Sequence, residues 1–370
     1  MRKTFLVTGG AGFIGRYLCR ELVASGHKVR VLDALVEQVH GAVSGPLDLP
    51  PEAEFVDGDV RDARLVRQAL AGVDGVFHLA AEVGVGQSMY EIARYVGGND
   101  LGTAVLLEAL IEHPVERIVV ASSMSVYGEG LYRDASGVRV DRARRRAEDV
   151  KAGRWDPFGA DDVELTPLPT DESKIVDLAS IYALTKYAQE QQVLIFGAAY
   201  AVPAVALRLF NVFGPGQALS NPYTGVLANF GSRLLNGEAP LVFEDGTQTR
   251  DFVHVRDVAR AFRLAMEAPD VAGRVFNIGS GRRYAIADVA RRLAKAMGLD
   301  REPQILNKAR AGDIRHCFAD ISAAQDALGY APTRFLEDSL GEMADWIRAS
   351  KASDHGEAAK KQLELRGLVA

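Results

Sequence analysis

Cysteine is nearly missing: the 370-residue chain holds two, Cys19 and Cys317, too few and too far apart for a disulfide framework or a cysteine-built metal site. A reducing compartment is expected, the cytoplasm, with no metal. Excess positive charge is missing too. Lys and Arg total 43 against 49 Asp and Glu, a formal net charge of -6, which argues against a nucleic-acid binder, since such proteins turn a basic face to phosphates. The run Arg142, Arg144, Arg145 and Arg146 reads instead as a solvated helix face. Long apolar stretches are absent. Nothing approaches the ~18 residues that cross a bilayer, and the apolar run after Met1-Arg2-Lys3 meets glycines too soon for a signal-peptide core. No membrane partner is expected.

What remains is ordinary globular composition, 48% hydrophobic and 25% charged, with a regular alternation of short apolar runs and helical periodicity. Strands are predicted over 4–7, 28–32, 54–56, 75–79, 117–121 and 204–210. Helices are predicted over 13–24, 63–70, 101–112 and 182–200. Such alternation implies a doubly wound parallel sheet with helices on both faces, because each crossover must return the chain to the same end. Past Phe210 the texture turns to Gly, Pro and Asn punctuation. The chain therefore divides into 1–207, carrying an insertion at 132–172, and a smaller interleaved substrate domain over 208–348, with 251–278 returning to the first. Residues 349–370, rich in Lys and Glu, read as a frayed helical tail.

The first strand runs into Thr8-Gly9-Gly10-Ala11-Gly12-Phe13-Ile14-Gly15, where glycines every third residue let the backbone turn and approach a pyrophosphate at a helix N-terminus. A strand precedes, a helix follows, and Asp33 ends the next strand; this context makes a dinucleotide site. A carboxylate at Asp33 accepts from both ribose hydroxyls and repels a 2′-phosphate, which selects NAD over NADP. Asp59 and Val60 are placed at the adenine, and Leu79, Ala80 and Ala81 let the cofactor lie close to the sheet edge. His78 reads as a hydrogen-bonded core residue.

The strand ending at Ala121 opens into Ser122, Ser123, Met124 and Ser125 at the carboxyl end of the sheet, where open α/β folds place their chemistry. Tyr182 and Lys186 stand four apart on a helix and share a face. A phenol must fall ~3 units from its ordinary ~10 to act as a base near neutrality, and Lys186 with a nicotinamide cation would provide that charge.

These motifs, with Asn99, the run Arg208 to Pro215, Arg250-Asp251-Phe252-Val253-His254-Val255, Asn277 to Gly281 and Gly312-Asp313-Ile314-Arg315, resemble an extended short-chain dehydrogenase/reductase of the NAD-dependent epimerase/dehydratase family across nearly the whole chain. The resemblance implies a Rossmann-type fold and a nucleotide-sugar substrate. It implies Tyr182 as acid–base, Lys186 lowering its pKa and holding the nicotinamide ribose, and Ser123 on the reacting oxygen. Gly9, Gly12, Phe13, Ile14, Gly15, Asp33, Asp59, Val60, Leu79, Ala80, Ala81 and Asn99 would hold the cofactor. Ser125 and Asn211 would hold the sugar or its first phosphate, and Arg250 and Arg315 would clamp the diphosphate with their planar forks.

A 4,6-dehydratase of this family places an Asp-Glu pair where this chain has Met124 and Ser125, and methionine carries no proton. A 4-epimerase, needing no extra acid, is therefore expected. The 132–172 insertion is similar to one in enzymes like dTDP-L-rhamnose 4-epimerase, which points to a dTDP-6-deoxyhexose; it reads either as a lid over the sugar or as a surface elaboration. UDP-hexose or UDP-uronate epimerases and nucleotide-sugar reductases are the neighbouring alternatives. A non-catalytic NAD-binding protein fits less well with Ser123, Tyr182 and Lys186 all retained. Apolar residues on more than one face of the 101–112 and 182–200 helices imply a homodimer. Met124, Asn221, Pro222 and Tyr223 are expected to shape the pocket.

Overall fold

The first strand, β1 (Thr4–Thr8), enters Gly9 at a φ of 68° before α1 (Phe13–Ala24) begins. A Cβ on Gly9 would stand 2.8 Å from the Ala80 nitrogen, and one on Gly15 would stand 2.5 Å from the Gly10 Cα. Only glycine lets the turn, the helix and the fourth strand meet this closely. The computed structural model describes residues 2–41, 47–221, 223, 225–310, 312–350 and 356–369; Pro222 lies outside them.

Around β1 stand β2 (Lys28–Asp33), β3 (Glu54–Asp57), β4 (Gly75–His78), β5 (Arg117–Ser123), β6 (Ala204–Leu209) and β7 (Val275–Ile278). They form one seven-stranded sheet in the order β7-β6-β5-β4-β1-β2-β3, with every pairing parallel. A parallel sheet must be covered on both faces. The helices of eight or more residues beyond α1 are α2 (Ala63–Leu70), α3 (Gly102–Glu112), α4 (Ile181–Tyr200), α5 (Val226–Leu235), α6 (Val255–Glu267), α7 (Ile286–Ala296), α8 (Leu336–Ala349) and α9 (Gly356–Leu365). Val66 of α2, Leu106 and Leu110 of α3 and Val193 and Phe196 of α4 bury one face of the sheet. Leu18 and Leu22 of α1 pack with Val258 and Phe262 of α6 on the other.

Local chemistry fixes the helix ends. The Asp62 carboxylate accepts from the Arg64 and Leu65 amides at 2.9 and 3.1 Å, and the Ser180 hydroxyl accepts from the Ala183 amide at 3.1 Å. Before α3 the chain makes a π-helical turn over Val96–Leu101, where the sequence periodicity had suggested only the start of an ordinary helix.

The chain returns late to the sheet. Phe252–His254 pairs with Asn211–Phe213, α6 crosses to the face held by α1, and β7 pairs with β6. Phe213, Phe230, Phe252, Leu293, Leu336 and Met343 form a separate apolar cluster under α5, α7 and α8. The insertion folds into three short antiparallel strands, Leu131–Arg133, Arg139–Val140 and Thr166–Leu168, over a small core of Tyr132, Ala143 and Leu165.

The tail is helical as expected, but docked where fraying was expected. It forms α9, with Ala359 and Leu363 buried and Arg366 stacked 4.3 Å over the Tyr90 ring. Glu364 pairs with Lys308 at 3.2 Å, and Val369 bridges to Arg310. Two apolar residues four apart supply just enough of a stripe to dock a helix that also carries Lys360, Lys361 and Glu364. Among the described residues no helix is long and apolar enough to cross a membrane.

Candidate active site

At the carboxyl end of the sheet a cavity of about 690 Å³ collects residues from both apolar clusters, a size suited to a nucleotide-bearing ligand. Gly9, Gly12, Phe13, Ile14, Gly15, Asp33, Asp59, Val60, Leu79, Ala80 and Ala81 all line it. So do Ser123, Ser125, Tyr182, Lys186, Asn211 and Arg250. The carboxyl end collects them because each strand stops there and hands its next residues to a loop.

Asp33 Oδ2 accepts from the Ala11 amide at 3.0 Å, and Oδ1 accepts from the Leu35 amide at 3.0 Å. This holds the carboxylate against the glycine turn. The first residues of α1 have no side-chain cap, so their amides are free to meet an anion. Asp59 is gripped by Arg61 through Nε at 2.9 Å and Nη2 at 2.6 Å, and this hydrogen bonding holds its carboxyl below the ordinary range. His78 is a core residue, bonded to Thr8 at 2.8 Å and Thr103 at 2.9 Å. Burial pushes its imidazole down to about 3, so it is neutral.

The reactive end is assembled from β5 and α4. Ser88 Oγ accepts from the Tyr182 amide at 3.0 Å and Ser125 Oγ donates to Ser123 Oγ at 2.9 Å, so the loop after β4 and the serine cluster both brace the start of α4. Burial raises the Tyr182 phenol above its ordinary pKa, and a hydrogen bond with Ser123 opposes that rise. Lys186 Nζ donates to Gln189 Oε1 at 2.6 Å, and burial pulls the ammonium down to about 7 against the Glu190 and Asp100 carboxylates. The expected lowering of the phenol by Lys186 is not seen: desolvation raises the phenol, and Ser123, not Lys186, is the partner that favours ionisation.

Two expected ligands stand elsewhere. Asn99 is fully buried and does not border the cavity. Its Oδ1 accepts from the Glu82 amide at 2.6 Å and its Nδ2 donates to Thr185 Oγ1 at 2.9 Å, so it ties the loop after β4 to α4. Arg315 is also off the cavity, 1% exposed. Its three guanidinium nitrogens are taken by Asp156, Glu244, Asp245 and Thr247 at 2.7–3.1 Å. A fork so enclosed by carboxylates offers nothing to a diphosphate. Arg310, which the motif reading passed over, does border the cavity, paired with Asp313 at 2.8 Å and stacked 4.4 Å over Phe243. Arg250 donates to the Thr249 and Arg315 carbonyls at 2.9 and 3.0 Å, which braces its guanidinium against the same wall.

Two further acceptors were invisible in sequence. Gln217 and Gln248 donate through Nε2 to the Val212 and Phe243 carbonyls at 3.3 and 2.9 Å. Their Oε1 atoms, and Oδ1 of Asn211, are buried without a hydrogen-bond partner among the described residues, and all three residues line the cavity. Buried acceptors left unmatched are costly unless a ligand donates to them, and hydroxyl-rich ligands do. Their signal was weak because Gln217 and Gln248 sit in turns with no periodicity. Gln189 had a clearer one, lying one turn beyond Lys186. No residue of 132–172 borders the cavity, so the insertion is not a lid. Among the described residues no cluster of His, Cys, Asp and Glu could hold a metal ion.

The family model for the NAD dependent epimerase/dehydratase family matches residues 5–146 and 157–279. A dTDP-L-rhamnose 4-epimerase of Burkholderia thailandensis is 39% identical over 357 residues, which cover 93% of this chain and 95% of that protein. A putative UDP-glucose 4-epimerase of Methanocaldococcus jannaschii is 30% identical, covering 93% and 98%. Among solved structures, a UDP-glucuronic acid 4-epimerase from Bacillus cereus in complex with UDP-glucuronic acid and NAD superposes with a TM-score of 0.77 at 28% identity, covering 94% of this chain and 99% of that one. A UDP-N-acetylglucosamine 4-epimerase from Methanobrevibacter ruminantium gives 0.76 at 30% identity, with the same coverage.

Proposed function

The chain belongs to the NAD-dependent epimerase/dehydratase family, and from that premise we propose that it is a nucleotide-sugar 4-epimerase acting on a dTDP-6-deoxyhexose. One observation carries the reading: the Tyr182 phenol and Ser123 hydroxyl open on the same cavity as the glycine turn and three unpartnered amide oxygens.

The residues fit the cofactor. Gly9, Gly12 and Gly15 leave room for a pyrophosphate, Asp33 is fixed where ribose hydroxyls donate, and Asp59, Val60, Leu79, Ala80 and Ala81 wall the adenosine and ribose side. Bound NAD supplies the hydride acceptor and, when oxidised, the positive charge that the buried phenol calls for. Tyr182 takes the proton from the sugar C4 hydroxyl and gives it back after the keto sugar has turned over. Ser123 holds that oxygen, and Lys186, steadied by Gln189, borders the same cavity and holds the nicotinamide ribose. Asn211 accepts from the sugar, and Arg250 with Arg310, in place of Arg315, faces the diphosphate. In this reading 1–207 carries the cofactor and 208–348 the nucleotide sugar.

Met124 and Ser125 both border the cavity, and neither can abstract the C5 proton and expel water as an Asp-Glu pair would, which disfavours dehydration. Incubation with a panel of dTDP- and UDP-sugars, followed by proton NMR, is expected to show C4 inversion of a dTDP-6-deoxyhexose with no net NADH. A stable 4-keto-6-deoxy product would overturn the reading.

A homodimer completes the proposal. Ile111 on α3 and Leu184, Ile195 and Tyr200 on α4 are 46–66% exposed on adjoining helices, and an apolar patch of this kind pairs across a two-fold axis. Ile195→Asp is expected to convert a dimeric mass at micromolar concentration to a monomeric one in light scattering; a monomeric parent chain would remove the claim. Cys19 and Cys317, both buried thiols, suit the cytoplasm.

A further inference from the structure

The insertion, for which a lid over the sugar was one of two readings, stays away from the cavity, whereas the C-terminal helix reaches it. Ala359, Leu363 and Leu368 all border the cavity. Leu363 is 6% exposed, and a Cβ on Gly86 would stand 3.4 Å from its Cδ2. Gly86 belongs to the same loop as Ser88, whose hydroxyl accepts from the Tyr182 amide. Gly312 closes the corner from the other side: a Cβ there would stand 3.1 Å from the Ala179 carbonyl and 3.6 Å from Val85. The helix therefore covers the reactive end, not the glycine turn. It is anchored from both sides of the cavity, by Arg366 on Tyr90, by Glu364 on Lys308 and by Val369 on Arg310.

We propose that α9 is a fixed wall of the sugar site and that Leu363 is a specificity-determining residue, its apolar side chain favouring a sugar with a methyl at C6 over one with a hydroxymethyl or carboxylate. The inference rests on the epimerase reading above. A hydroxyl placed against Leu363, Val85 and Met89, which border the cavity together, would lose water without gaining a partner. A methyl would bury apolar surface there.

The test compares the full-length protein with Leu363→Ala and Leu363→Gln, measuring kcat and KM for a dTDP-6-deoxyhexose and the matching dTDP-hexose. The parent chain is expected to favour the 6-deoxy sugar. Leu363→Gln is expected to shift the ratio of kcat/KM toward the hexose by about tenfold, the scale of a single pocket contact, mainly through KM, with the NAD-induced rise in melting temperature retained. Hydrogen exchange of the parent chain adds a measurement free of any folding defect: the amides of α9 should slow when the 6-deoxy substrate is added. Epimerisation with an unchanged ratio in both variants, or no protection of α9, overturns this inference and leaves the epimerase reading standing. A parent chain inert toward every nucleotide sugar overturns both.

Discussion

Tyr182→Phe is expected to lower kcat by about 10²–10⁴, the range associated with losing a positioned acid–base group, while the NAD-induced rise in melting temperature persists. The ring itself is packed edge-on to Tyr95, with centroids 6.4 Å apart, and phenylalanine keeps that contact, so the fold should not suffer. Only the hydroxyl goes, and with it the partner of Ser123. Because burial holds the phenol above its ordinary pKa, the residue cannot act as a base without a neighbouring positive charge, and the loss should fall on kcat and kcat/KM together. Full activity in the variant would assign the proton to another group.

Arg315→Met is expected to destabilise the protein by about 3–5 kcal/mol, the range for breaking a buried ion network from one side, or a fall in melting temperature of roughly 4–6 °C. The guanidinium neutralises Glu244, Asp245 and Asp156 together, and Arg145 pairs with Glu244 beside it. Removing Arg315 leaves more buried negative charge than Arg145 can balance. The pH dependence has a definite sign. Against the desolvation that raises both, hydrogen bonds from His316 and then Arg315 at Asp156, and from Arg315 at Asp245, hold the two carboxyls below the ordinary range, so their contribution is complete above the unfolded pKa of ~3.9. It is lost as pH falls through the depressed folded values. The difference between parent and variant should therefore be full at pH 7 and shrink in acid. A clamp on the diphosphate would behave otherwise, raising KM with melting unchanged; that outcome would return Arg315 to the substrate.

The same residue shows where sequence reading stops. The glycine turn, Asp33, and the Tyr182 and Lys186 pair were legible because each depends on local rules: backbone freedom, strand-end position and helical spacing. All of them border one cavity. The role of Arg315 depended on Asp156, 159 residues away in sequence and inside the 147–156 gap in the family match. No spacing rule links two such positions. The docking of the tail was missed for a related reason: its sequence shows little apolar periodicity, but docking needed only Ala359 and Leu363 to find a surface. Asn99 was located correctly as important ground, yet its side chain faces Glu82 and Thr185 and not the cavity, and orientation at a π-helical turn does not follow the ordinary helical wheel.

The late arrival of β7 and α6 also limits how this protein could have been cut or shuffled. A gene fragment ending at residue 207 would encode the glycine turn and nearly every residue proposed to hold the cofactor, yet its product would lack the strand that pairs with Ala204–Leu209 and the helix that seals Phe77 through Phe262. Such a product would present an open row of backbone donors and acceptors beside bare aromatic surface, a template for aggregation. Recombination can exchange the two halves of the cavity only by carrying the returning segment along.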